Sequence, residues 1–254
     1  MAGRLGAQSA AQAPVPADKG SLSGAGKFQA KDVPASASTA PDPAARLAEL
    51  GIQMDGEKIN VGLAELDRKT RAVSFPAKLH AVEGVIEYVL VHATGKIHET
   101  LFVTDALPQD IHVACLLAGW GNATDKTPAP VIIEASWDTN GPSRCEPIEN
   151  LVAFAKDHPQ AERSGQLASG SWNYTGSIVD AAGFVATREG SIISVISDPA
   201  ALAGNPRPSR EDDSLHVPNS TLLPQPGFPV KITLRPLPAA VLPSSKSLSE
   251  KPSQ

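Results

Sequence analysis

The sequence is poor in cysteine, in aromatic residues and in long apolar runs. Two cysteines among 254 residues cannot supply a disulfide framework, a four-cysteine zinc site or an iron–sulfur cage. Aromatic residues make up only 4%, so the core must come mostly from aliphatic side chains. No apolar run approaches the roughly 18 residues that a membrane helix needs, so no transmembrane segment is expected. Positive charge is also short: 22 Lys and Arg stand against 27 Asp and Glu, a net charge of −5. A protein that neutralises phosphates needs the opposite balance, so no nucleic-acid partner is expected. Nucleotide and serine-nucleophile signatures are missing as well. Gly24-Ala25-Gly26-Lys27 is followed by Phe28, where a phosphate loop needs Ser or Thr. No Gly-x-Gly-x-x-Gly follows a strand, and no Gly-x-Ser-x-Gly or Ser-x-x-Lys occurs.

Proline is plentiful at 23 residues, and it is unevenly spread. Residues 1–45 hold 13 Ala, 5 Pro and a single aromatic, Phe28. Such a segment buries too little apolar surface to offset its ordering entropy, so a disordered tail is expected. Residues 236–254, with 4 Pro and 5 Ser, read the same way. Each tail sums to +1, which leaves −7 on the folded part, residues 46–235. An Ala/Pro/Ser-rich lead of this kind suits a spacer after a cleaved signal or lipid anchor. It equally suits a cytosolic tail.

The core reads as many short strands around one buried helix, a strand-dominated α+β domain. Ala44 to Leu50 predicts a short helix ended by Gly51. Apolar alternation at Ile59, Val61, Leu63 and at Ala72, Val73, Phe75 predicts strands, with Pro76 stopping or bending the second. Val85 to Val91 and Lys96 to Val103 predict a β-hairpin. Its turn is Ala93-Thr94-Gly95-Lys96, and Gly95 would supply a positive φ. A helix over about 106–118 follows, capped by Asp105, opened by Pro108, closed by Gly119 and buried on most sides. Further strands are expected at 131–137, 172–178, 183–187, 191–196 and 230–235. Asp198-Pro199 is expected to open a single helical turn. Asn205 to Pro226 reads as a Pro-rich loop holding an acidic knot, Glu211 to Asp213.

A few side chains could carry chemistry. His98-Glu99 begins like a zinc motif, but residue 102 is Phe and the pair lies on a predicted strand. In hairpin register His98 shares a face with Glu87, four rungs or roughly 13 Å away, too far for a dyad. His112 and Cys115 are three apart on the helix and hence neighbours on its surface. A core histidine and a small buried thiol explain them more simply than a metal does. Cys115 and Cys145 could pair in an oxidising compartment. Trp172 and Tyr174 share a strand face, which suits core packing or, less simply, a ligand platform. Three Asn-x-Ser/Thr sequons, at Asn122, Asn173 and Asn219, match chance occurrence.

Several ordered segments resemble the YdjY-like domain of bacterial proteins. They are 83–91 with 95–101, 111–119, 172–177, and 190–193 through Asp198-Pro199 to Asn205-Pro206. The resemblance spans roughly residues 50–236. It implies an exported protein or lipoprotein, and some members of that family carry ferredoxin-type cysteine clusters. With only Cys115 and Cys145 here, no iron–sulfur cluster carries over. The resemblance implies a family and an extracytoplasmic place, in the periplasm or at the cell surface, but no reaction. The expectation is therefore a binding or scaffold module for an envelope partner or small ligand, with no cofactor and no catalytic residue assigned. Candidate ligand-binding residues are His98, Glu99, His112, Trp172, Asp198 and Asn205. The alternative is a metal-binding protein or metal-dependent enzyme that gathers His98, Glu99 and His112, and the cytoplasm remains the alternative location.

Overall fold

The computed structural model describes residues 47–121, 127–156 and 165–237, and all of them fall within one compact unit. Residues 1–45, residues 238–254 of the second expected tail and the sequon at Asn122 lie outside the described residues, while Pro236, where that second tail is expected to begin, ends a strand. The first four strands form an antiparallel meander: β1 (Ile52–Asp55), β2 (Lys58–Val61), β3 (Ala64–Asp67) and β4 (Ala72–Leu79). β5 (Tyr88–His92) and β6 (Thr100–Thr104) follow, then helix α1 (Pro108–Leu117), β7 (Ala129–Trp137) and β8 (Arg144–Pro147). Next come β9 (Val152–Phe154), β10 (Trp172–Tyr174), β11 (Val179–Asp180), β12 (Gly183–Phe184) and the five-residue helix α2 (Val185–Glu189). β13 (Ser191–Ser194), β14 (Ala203–Gly204), β15 (His216–Pro218) and β16 (Pro229–Pro236) complete the fold.

Eight of these strands close on themselves. The circuit runs β4, β16, β7, β10, β14, β13, β5, β6 and back to β4. Closure pairs these eight strands with one another on both sides, and the edge strands of the sheet, β1 and β8, lie outside the circuit. The inside of the barrel is the core. Phe75 and Leu79 of β4, Ile133 and Ala135 of β7, Trp172 and Tyr174 of β10, and Ile232 and Leu234 of β16 are all buried, while their neighbours along most of these strands are more exposed. This is the period-2 alternation of a half-buried sheet. The strand-dominated α+β reading holds at that level. The closure of the barrel goes beyond it.

The expected hairpin is not formed. β5 and β6 pair in parallel, Tyr88 opposite Thr100 and His92 opposite Thr104. The seven residues 93–99 run back along the strand, ending in a single 3-10 turn at Ile97–Glu99. Gly95 does not take a positive φ. It is needed for close approach: a Cβ there would stand 3.1 Å from the Glu189 carbonyl oxygen and 3.2 Å from the Gly190 Cα. A second short parallel crossover, residues 195–202, joins β13 to β14. Both crossovers are shorter than the dozen or more residues usual for parallel pairs. β5 and β13 are buried over Tyr88–Val91 and Ser191–Ser194 without alternation, as strands covered on both faces are.

Other expectations need adjusting. Pro76 neither stops nor ends β4, which runs on to Leu79. It sits where one side of β4 passes from β3, last paired at Ser74, to β6, first paired at Lys78. The Thr104 hydroxyl donates to its carbonyl at 2.6 Å. Helix α1 opens at Pro108, but its N-cap is Leu107 and no side chain caps it. Only one stripe of α1 is buried: Ile111, Ala114 and Cys115 inside, Leu116 and Leu117 outside. Gly119, at φ +80°, does end it, and Gly51 does end the first helical turn at φ +71°. Residues 185–189 are helix instead of strand, and the 172–178 strand stops at Tyr174. Asp198-Pro199 opens a turn without helix.

Candidate functional site

The outer face of the barrel over β10, β14, β13 and β5 carries a row of polar and small residues. Asn173 pairs with Gly204, Gly204 with Ser194, and Ser194 with Tyr88. These four residues therefore make one row across four strands. Their neighbours Trp172, Tyr174, Ala203 and Ile193 point into the core. Over the row lies a cleft of about 410 Å³. The 195–202 crossover forms one wall with Ile196, Ser197, Asp198 and Pro199. The segment after β10 forms the other with Thr175, Ser177 and Ile178, and Arg210 reaches the rim.

Gly204 makes the cleft possible. Its missing side chain leaves the space at the centre of the row, and an added Cβ would stand 3.2 Å from the Ser194 Oγ. That hydroxyl points along the sheet face into the space. Ser194 is fully buried, and its Oγ has no hydrogen-bond partner among the described residues. Burying an unpaired hydroxyl costs about 1–3 kcal/mol. Ser177 adds strain nearby: it is one of two non-glycine residues with positive φ among the described residues, at +63°, where a side chain is disfavoured. Its hydroxyl donates to the Ala200 carbonyl at 2.5 Å and so ties one wall to the other.

The crossover wall is anchored from below. Asp198 Oδ1 accepts the Ala200 amide at 2.8 Å, and Oδ2 accepts the Tyr88 hydroxyl at 3.0 Å. Lys96, from the other crossover, donates to the same Tyr88 oxygen at 2.8 Å. Burial pushes the Tyr88 pKa up, and the bond to Tyr88 raises that of Lys96. Asn205 holds the far end: its amide nitrogen donates to the Val195 carbonyl at 3.0 Å, and its Oδ1 accepts the Arg207 backbone N–H at 3.1 Å.

Of the six expected residues, Asp198 and Asn205 line this cleft. The other four stand elsewhere. Trp172 is buried in the barrel, donates to Glu149 Oε2 at 3.3 Å, and lies under the Arg207 guanidinium, 5.3 Å from its ring centre. It is a core side chain. His112 is half-buried on α1. Its Nδ1 shares a 2.7 Å hydrogen bond with the Tyr174 hydroxyl, and its ring stacks 5.0 Å from that of Phe184. Burial lowers its pKa and raises that of the adjoining Cys115 thiol. His98 is exposed and lies 3.2 Å from Glu99. Parallel pairing brings Glu99 beside Glu87, whose amide donates to the Glu99 carbonyl at 2.9 Å. Hairpin register placed Glu87 on one face with His98 but about 13 Å from it. Burial and the Glu99 charge raise the Glu87 pKa. His98 and Glu99 thus stand together, but among the described residues no three His, Cys, Asp or Glu side chains form a group able to hold a metal ion. Cys115 is buried and Cys145 exposed, and no bond joins them.

Sequence reasoning missed Asn173, Ser194 and Gly204. Asn173 was legible only as the polar neighbour of Trp172 and Tyr174 on a strand. The other two depend on the crossover that carries Gly204 to Ser194. A larger cleft of about 570 Å³ opens near Trp137, Phe228 and Arg144. Three of its polar side chains have partners within the chain: Asp138 accepts from Ser143, Thr139 donates to the Pro142 carbonyl, and Arg144 donates to Glu146. Comparison with protein-family models, with curated proteins and with solved structures finds no match.

Proposed function

We propose that this chain is a binding module, and that the cleft over Asn173, Gly204 and Ser194 takes a small polar ligand. One observation carries the reading: a fully buried serine hydroxyl without a partner faces the gap left by a glycine. A purely structural strand would place an apolar side chain there at lower cost. The cleft is concave, mixes polar and apolar walls and has an ordinary size for a small-molecule site. Membership of the YdjY-like family is part of the proposal, and two of the stretches that resemble it, 172–177 and the run from 190 through Asp198-Pro199 to Asn205-Pro206, supply residues of the lining of this cleft. A place outside the cytoplasm belongs to the same reading. It rests on that resemblance and on the Ala/Pro-rich first 45 residues, and fractionation of cells making the natural gene product tests it.

The binding claim is tested by screening a chemically mixed set of small molecules against ¹⁵N-labelled protein. Hits are expected to move the backbone signals of Asn173, Ser194, Gly204 and Asn205 together. Hits that move only signals around Trp137 and Phe228, or no hit at all, would overturn it.

A further inference from the structure

We infer that the ligand of this cleft is a neutral polyhydroxylated molecule, a sugar or cyclic polyol; this rests on the binding reading above. A hydroxyl group has one proton to give and two lone pairs. Ser177 has given its proton to the Ala200 carbonyl, Thr175 to the carbonyls of Ala201 and Leu202, and Ser197 to Glu211 Oε1 at 2.9 Å. Toward the cleft these three offer only acceptor lone pairs. Ser194 keeps an unspent O–H proton, and the Asn173 amide brings both donors and an acceptor.

An occupant must therefore donate to the walls and accept from the floor. A carboxylate has no proton to give Ser177 or Thr175, and either a carboxylate or a phosphate would bring negative charge beside the Asp198 carboxylate. The one cation of the lining, Arg210, is already committed to Glu211, with its Nε 2.8 Å from Oε1. An ammonium could donate to the walls but offers no acceptor for the Ser194 proton. A hydroxyl does both from one atom, and a polyol carries several. The apolar side chains of Ile178, Ile196 and Pro199 face the C–H surface that such a ring also carries.

The test titrates ¹⁵N-labelled protein with three kinds of probe at up to tens of millimolar. The polyols are trehalose, methyl glucopyranoside and myo-inositol; inorganic phosphate and butylammonium complete the set. At least one polyol is expected to give saturable shifts at Asn173, Ser194 and Gly204. Those shifts should weaken at least roughly tenfold in affinity in Ser194→Ala, the loss expected for one buried hydrogen bond of about 1.4 kcal/mol. Shifts at the same residues from phosphate or butylammonium, with none from the polyols, would overturn the ligand class and leave the binding reading standing. No shift at the cleft from any probe, together with a mixed screen that also leaves it silent, would overturn both.

Discussion

The hydroxyl of Tyr88 on β5 donates to the carboxylate of Asp198 across 3.0 Å, and this bond ties one wall of the cleft to the barrel. Tyr88 is 1% exposed, so its hydroxyl has no water to fall back on. Tyr88→Phe should lower unfolding stability by about 1.5–3 kcal/mol, as a bond to a charged group does. Lys96→Met, at an exposed side chain, should change it by less than about 1 kcal/mol. Urea denaturation of both variants checks the pair. Equal losses would mean that Lys96 is the anchor.

Gly190 and Gly95 touch backbone to backbone, and this contact seats the first crossover against the end of α2. A Cβ on Gly190 would stand 2.6 Å from the Gly95 Cα, at a φ of +72°. Gly51 has nearly the same φ, +71°, with nothing within 4 Å of a Cβ. Gly51→Ala should therefore lose only the left-handed backbone penalty, about 1–2 kcal/mol. Gly190→Ala should lose that plus an overpacking term of about 1–3 kcal/mol. Thermal melts measure the difference. Equal losses would remove the contact from the account.

Two half-buried groups give opposite pH dependences. The Glu87 carboxyl is held above its ordinary 4.5 by burial and by Glu99. The folded chain keeps that proton longer than the unfolded one. The resulting stability is full below about 4.5 and is lost as pH rises through the raised value. His112 is held below its ordinary 6.5 by burial. Its contribution is full above about 6.5 and is lost as pH falls through the lowered value. Urea midpoints followed from about pH 4 to 8 should flatten in the first window for Glu87→Gln and in the second for His112→Gln. Unchanged slopes in either variant would contradict the assignment of that group.

Much of the barrel was legible from alternation alone. β7 and β16 read as strands because Val131, Ile133, Ala135 and Val230, Ile232, Leu234 fall on one face. The helix expected over about 106–118 spans Pro108–Leu117, legible from Pro108 at its start and Gly119 past its end, although Asp105 does not cap it. The site was less legible, and the cause is topological. A glycine at position 95 after a β-rich run reads locally as a hairpin turn, and only contact with Gly190, almost a hundred residues away, makes it a close-packed return into a parallel strand. Asp198 and Asn205 stood out because Asp-Pro and Asn-Pro mark turns, and those turns bound the second crossover. Ser194 and Gly204 carry no local signal: a serine ending a short strand and a glycine after an alanine become a floor and a gap once the crossover lays them side by side. His98, Glu99 and His112 drew attention by residue type, and the fold divides them between an exposed pair and a partner of Tyr174.

The most direct test of the cleft is to fill it. Gly204 has no positive φ and sits in a strand, so Gly204→Val suits the backbone while placing a branched side chain over Ser194. The measurement is a titration of native and Gly204→Val protein with the best-bound polyol, followed at the Asn173 and Ser194 amide signals. The account predicts saturable shifts in the native protein, and a folded variant with the native spectrum elsewhere that binds at least roughly tenfold more weakly, a loss of about 1.4 kcal/mol. A folded Gly204→Val protein that binds as tightly as the native one would contradict it.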